Sequence, residues 1–536
     1  MRQKSWLLHL TLVAVAALVL SACAGTPAEA PAADAPAADT GAAGAGGSLI
    51  ATYAHGGTFP DLDPSSSYSN DNVVLGNVYE TLTFYNPPGS AETLGPKLAV
   101  SWEASDDATE WTFTLRDGVT FHDGTPFNAD AVKFSLERTK ELGLGAAFIL
   151  DPIESIEVVD DLTVRFTLAY PTPLDLILSS GYGAWMMSPS AADKDNAWFN
   201  AGNDAGTGPY TITAYDPSAR AVVDAYPDYW GGWEDGQFTQ VVFEIVEDTT
   251  VREQMIRAGD ADFTTGLPYE NYDALAGAGG LVVDITPSFQ NLMGLVNNVK
   301  PPLDDVRVRQ ALSHSFPYEL VAENLYAGQG TLASGPIPAG MWGHSADLPG
   351  YEYDLDKAAA LLADAGIGAG ELSLLYTYVA DDLDEQQVGE LWRAELAKIG
   401  VDMELQGLAW EAQWDMGQGD PLEAQDVFAF YWWPSYVTPY DFLFSLFHSE
   451  DEPFFNLGYY NNPEYDALID EGNQVSGVDR DAAAEKFIQA QEMLMNDAAA
   501  VFILDLPDIH VIRDDISGYV NNPAYPHIVF WHELKK

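Results

Sequence analysis

From residue 354 onward the sequence alternates between two periods, and this alternation restricts the fold more than any other feature. LDKAAALLADAG follows the capping residue Asp354 and closes at Gly366. Leu372 to Tyr378 then reads as a strand. Leu383 to Ile399 returns to helical spacing and stops at Gly400, and VDMELQGL follows at once as the next strand. Helix and strand in strict succession mark an α/β lobe.

The first half carries the same element types in another rhythm. SLIATY, Ser48 to Tyr53, predicts a strand. Asn70 to Phe84 predicts a helix on Val74, Leu75, Val78 and Leu82. EWTFTLR, Glu110 to Arg116, alternates as a strand and turns at Asp117-Gly118. Asn128 caps ADAVKFSLERTKEL, with Asp130 in the first turn. Strands are expected at Ile153–Val159 and Leu162–Leu168, and a hairpin after Gly206. Near the end, DVFAFYWW predicts a strand, Asn462-Pro463 opens a helix, and a long helix from about Asp479 to Asn496 leads into AVFILDLPDIHVI. A chain of 536 residues exceeds one ordinary core. Two α/β halves therefore imply two lobes, with ligand in a crevice at the carboxyl ends of strands.

Charge and cysteine usage narrow the function. A formal net charge of −58 excludes the basic footprint of a nucleic-acid binder and electrostatic docking on anionic lipid. The acidic residues are spread along the chain, as on a solvated surface; the functional alternative is attraction of cationic solutes. Cys23 is the only cysteine, so no disulfide forms within the chain. HExxH, CxxC, EF-hand, P-loop, GxGxxG and GxSxG patterns are all missing. No metal, cofactor or catalytic residue is expected.

Residues 1–22 form a secretory signal: Arg2 and Lys4, an apolar run from Trp6 to Leu20, then small residues. Leu20-Ser21-Ala22-Cys23 resembles the lipobox of bacterial lipoproteins, which implies lipid on Cys23. Residues 23–47 are rich in Ala, Pro and Gly and hold no large apolar side chain, so they predict a flexible tether. The expected location is extracytoplasmic, anchored to the cell membrane by lipid.

WTFTLRDGVTFHDGTPFNADAVKFSLER, Trp111 to Arg138, resembles the signature of the family-5 extracellular solute-binding proteins of ABC importers. YETL at Tyr79, GTGPY at Gly206, NNVKPPLDDVRVRQALSHSF from Asn297, YNNPEYDALIDEG from Tyr460 and HVIRDDISGYVNNP from His510 recur in the family's order. The resemblance implies an α/β, two-lobed clamshell of the periplasmic-binding-protein type, type II-like, with an extra small subdomain. Lobe I would span 48–287, with the subdomain at about 86–204. Lobe II would span 288–505, and 506–536 would return to lobe I. Crossings near Ser288 and Leu504 would form the hinge. The implied partners are a small solute, oligopeptide or oligosaccharide, and an ABC permease, with the receptor a monomer.

FYWWPSYVTPYDFL, Phe430 to Leu443, places seven aromatics in fourteen positions. Phe428 and Phe430 are assigned to core, and the end of the run to the cleft. In peptide-binding relatives a Trp-x-x-Asp-Tyr motif ends this strand, and its Asp pairs with the peptide ammonium. Here Trp432-Trp433-Pro434-Ser435-Tyr436 stands in that place, with Ser435 for the Asp. The expected ligand contacts are Tyr431, Trp432, Trp433, Ser435 and Tyr436, with His55 and Gly56 opposite. Competing readings are a secreted glycan-active hydrolase, which requires a carboxylate pair, and a cell-surface adhesin or scaffold.

Overall fold

Two long strands, Leu281–Val296 and Ala500–Arg513, pair antiparallel and tie the molecule together. The computed structural model describes residues 49–380, 382–451 and 453–536. The signal, Cys23 and the tether lie outside these residues. The long pair sits in the middle of an eleven-stranded sheet. On one side follow Val427–Trp432, Leu372–Val379 and Val401–Leu408, and on the other Phe263–Thr265, Ile50–His55, Gln240–Ile245, Arg220–Ala225 and Tyr210–Asp216. Thr331–Leu332 adds a short pairing to Ala500–Arg513. A separate antiparallel sheet orders Ala99–Ala104, Glu110–Leu115, Thr163–Leu168 and Ile153–Asp160.

Local chemistry sets most of these elements. The helix Ala129–Leu142 starts where the Asn128 carboxamide accepts the Ala131 N–H at 3.1 Å, and it stops at left-handed Gly143. Asp354 and Asp382 cap Leu355–Asp364 and Leu383–Lys398 in the same way. Parallel strands Leu372–Val379 and Val401–Leu408 flank that second helix, as the alternation requires. Phe428 and Phe430 are buried, packed against Trp410 and Trp414.

Two elements differ from expectation. The helix expected over Asn70–Phe84 covers only Asn72–Val78. Its end is fixed by the GTGPY loop: the Gly208 N–H donates to the Val78 carbonyl at 2.9 Å. A Cβ at Gly206 would lie 1.9 Å from that same oxygen, so only glycine permits the approach. The strand Leu281–Val296 carries no clear strand signal because Pro287 interrupts it. In the long pair Pro287 stands opposite Pro507, and the register shifts between Pro287 and Asn291. Neither proline donates to the ladder, so the pairing is weakest there. The Ser288 hydroxyl supplies a substitute bond to the Leu506 carbonyl at 2.6 Å.

The stretches that carry the family resemblance meet one another. Glu80 of YETL accepts from Thr207 of GTGPY (2.8 Å), from Tyr229 (2.9 Å) and from Trp230 (2.8 Å), and pairs with Lys97 at 3.3 Å. His122 of the long signature bonds Asp204 and the Gly208 carbonyl. Arg138, at its end, grips Asp63 with two bonds of 2.7 Å. Arg309 donates to the Asp497 carbonyl at the end of helix Arg480–Asp497. These residues hold the scaffold. Gly206→Ala is expected to cost about 2–4 kcal/mol, because backbone must move. Urea unfolding of the variant checks this, and an unchanged midpoint would refute the close-approach argument.

Candidate functional site

The crevice opens beside the weak point of the long strand pair. One chamber, about 260 Å³, is walled by Asn70, Asn72 and Tyr182 on one side and by Phe289, Gln290 and Trp433 on the other. A second, about 240 Å³, is walled by Tyr269, Tyr272, Asp384 and the 506–510 backbone. Gln290, Asp508 and His527 line both chambers. The two spaces therefore adjoin at these three side chains.

Asp508 is the central group. It is 7% exposed, and its Oδ2 accepts the Asn521 N–H at 2.9 Å. Asn521 also donates to Thr286 Oγ1 at 2.7 Å, which fixes its amide and so aims the carboxylate. Burial raises the Asp508 carboxyl above the usual carboxylate range; His527 and Asn521 oppose the rise and Asp284 adds to it. Asp384 sits in the first turn of helix Leu383–Lys398, where the helix dipole favours a carboxylate. Burial still lifts it to about 6, helped by Asp382 and Glu270. His510, in the second chamber, is pushed down to about 3 by burial, and its Nδ1 has no partner.

The expected contact residues separate into distinct places. Trp433, half-buried, lines the first chamber, with Tyr182 beside it. Trp432 is 5% exposed and packs on Phe430 and Phe455 within the aromatic core. Tyr431 faces the opposite side of the sheet, among the residues packed round Tyr326 and Trp392. Tyr436 borders a different cavity, of about 200 Å³, with Tyr440 and Phe444. His55 is buried, and its Nδ1 lies 3.0 Å from both the N–H and the carbonyl of Gly57. Gly56 packs against the Arg252 guanidinium, where a Cβ would come within 2.7 Å. Neither His55 nor Gly56 borders the two chambers.

Ser435 does not face open space. Its hydroxyl lies 2.8 Å from the Tyr68 hydroxyl, and its carbonyl accepts from Ser180 at 2.5 Å. Its N–H donates to Asp441 Oδ2 at 3.0 Å. Ser435 thus bridges the aromatic strand to two segments of the first half of the chain. Sequence reasoning missed Asp508, Asp384, Gln290 and His527. A signal was present for Asp508: AVFILDLPDIHV is an apolar strand interrupted by two aspartates, and carboxylates there require a reason. Among the described residues, no group of three or more His, Cys, Asp or Glu is arranged to hold a metal ion.

Asp441 gives this bridge a pH dependence. Burial raises its carboxyl to about 7, and contacts from Ser435 and Trp432 pull it only partway back. The folded state therefore holds a proton that the unfolded chain, with an ordinary carboxyl near 3.8, releases earlier. The stability it contributes is complete below pH 4 and is lost as pH rises through 7. His55, pushed down to about 4 by burial, acts in the opposite sense over pH 4 to 6.5. Asp441→Asn should lose less stability than the unmodified protein between pH 4 and 7, by denaturant midpoint. Parallel midpoint-against-pH curves would contradict the assignment.

A model of the bacterial extracellular solute-binding proteins, family 5 Middle, matches residues 93–454. The probable D,D-dipeptide-binding periplasmic protein DdpA of Escherichia coli K12 is 32% identical over 485 residues, 89% of this chain and 92% of that protein. Heme-binding protein A of Haemophilus influenzae is 29% identical, covering 84% and 86% of the two chains. Among solved structures, the periplasmic binding protein DppA of Helicobacter pylori, in complex with peptide STSA, aligns with TM-score 0.78 at 24% identity, over 91% of this chain and 98% of that one. NikA of Brucella suis, in complex with Fe(III)-EDTA, aligns with TM-score 0.80 at 21% identity, over 91% and 99%. These neighbours share the two-lobed α/β fold.

Proposed function

Because the chain belongs to the bacterial extracellular solute-binding proteins, family 5, we propose that it captures a peptide-like solute in the crevice at Asp508 and delivers it to an ABC permease. The family is one of solute-binding proteins rather than enzymes. The observation that carries the reading is the crevice itself. It lies beside the proline-interrupted crossing and is walled by aromatic faces and polar groups not used up by the fold. One relative is named for dipeptide binding and one solved neighbour holds a peptide, which favours peptides over sugars as the first class to test.

The proposed lobes are 48–287 with 506–536, and 288–505. Closure would bend the two crossing strands where Pro287 faces Pro507, a point with few ladder bonds to break. Ser435, Tyr68 and Ser180 would then form the contact that holds the lobes shut. Trp433 is the proposed stacking surface for cargo. Trp432, Tyr431 and Tyr436 support it, and His55 and Gly56 shape the loop behind the first strand. Lipid on Cys23 would keep the receptor at the outer face of the cell membrane as a monomer.

Native mass spectrometry of the purified protein tests the proposal. A defined small solute should be retained, and it should rebind saturably without turnover after removal. A sugar would move the cargo class; turnover would overturn the receptor reading. Trp433→Ala should weaken rebinding of that solute about tenfold or more, roughly 1.4 kcal/mol, with the unfolding midpoint kept. Trp432→Ala should instead lose about 3–5 kcal/mol of stability. Unchanged affinity in Trp433→Ala would remove that residue from the site.

A further inference from the structure

The two chambers are unequal in charge. Their walls carry the carboxylates of Asp508 and Asp384 and no Lys or Arg side chain; the basic groups present are His527 and His510. Among the described residues, neither aspartate forms an ion pair with a Lys or Arg. Asp508 has only the neutral Asn521 amide as its hydrogen-bond donor, although it is nine-tenths buried. Burial raises this carboxyl, with His527 opposing the rise, and an arriving positive group would favour its charged form.

Two further groups in the walls are open to a polar solute. The Asn72 carboxamide, 3% exposed and in the wall of the first chamber, has no hydrogen-bond partner at either its oxygen or its nitrogen. His510 Nδ1, 2% exposed and in the second, has none either. The carboxamide oxygen accepts and its nitrogen donates, and the imidazole nitrogen does either according to its tautomer. A solute with N–H donors can engage the Asn72 oxygen. Ser435 is spent on Tyr68 and carries no charge.

We propose that the crevice selects solutes bearing an ammonium group, with the carboxylates of Asp508 and Asp384 as its counter-charges and Asn521 as the residue that positions Asp508. This rests on the receptor reading of the same crevice. Anionic solutes are excluded, because they would add like charge to a site that lacks a Lys or Arg to receive them. The ammonium can belong to a peptide terminus or to an amine side chain.

Calorimetric titration of the purified protein, emptied of cargo, separates these cases with four probes. Alanyl-alanine amide carries only an α-ammonium, and N-acetyl-lysine amide only a side-chain ammonium. N-acetyl-alanyl-alanine amide is neutral, and N-acetyl-alanyl-alanine is an anion. One or both amines should bind at least tenfold more tightly than the neutral and anionic probes, and the tighter amine identifies the source of the charge. Asp384→Asn, at a half-buried position, and Asp508→Asn should each bring the amine probe down to the level of the neutral one. Asn521→Ala should weaken the amine while leaving the weak neutral probe unchanged. Equal binding of charged and neutral probes, binding of none, or full amine affinity in both aspartate variants overturns the inference. A co-purified solute without an amine overturns it too while leaving the receptor reading intact. Failure to retain or rebind any solute defeats the receptor reading itself.

Discussion

The antiparallel pairing of Leu281–Val296 with Ala500–Arg513 is the constraint on which the rest of the structure depends. One strand of this pair continues into Val427–Trp432 and the parallel strands beyond it, and the other into Phe263–Thr265 and the first strand. Both flanks of the sheet therefore hang on a single ladder. That ladder is interrupted where Pro287 meets Pro507, and a serine hydroxyl takes over one of the missing backbone bonds. A second register shift follows between Leu292 and Met293. In the proposed receptor, bending would concentrate at the Pro287–Pro507 break, where the ladder has fewest bonds.

The crevice takes its chemistry from the same place. Asp508 follows Pro507 directly, and Ser288 to Gln290 follow Pro287, so the residues beside the break line the space it opens. The C-terminal stretch then returns to set the detail. Asn521 orients Asp508, and His527 faces both chambers. A carboxylate there costs stability, which is the usual condition of a group kept for binding. The large acidic excess of the chain suits the same reading, since its long-range field favours approach of cations.

Much of the fold was legible because its causes are local. Asn128, Asp354 and Asn462 cap helices where the sequence indicated. The long crossing strand was hidden because Pro287 breaks the period that reveals strands. The shortened helix at Asn72–Val78 was hidden because its end is dictated by Gly206 and Gly208, more than a hundred residues away. The site was less legible than the fold. The aromatic run drew attention to Trp432 to Tyr436, yet a residue's side of the strand decides its role. Trp433 reaches the chamber and Trp432 enters the core. Ser435 was marked by its place in a motif, but its hydroxyl is taken by Tyr68, a partner 367 positions away that no local pattern announces.

The central claim is that solute binding closes two lobes about the Pro287–Pro507 crossing, and small-angle X-ray scattering tests it most directly. The purified protein would be measured with its retained solute, again after the solute is removed, and once more after it is restored. The account predicts a larger radius of gyration on removal and recovery of the compact value on restoration. An identical scattering profile in all three states would contradict it.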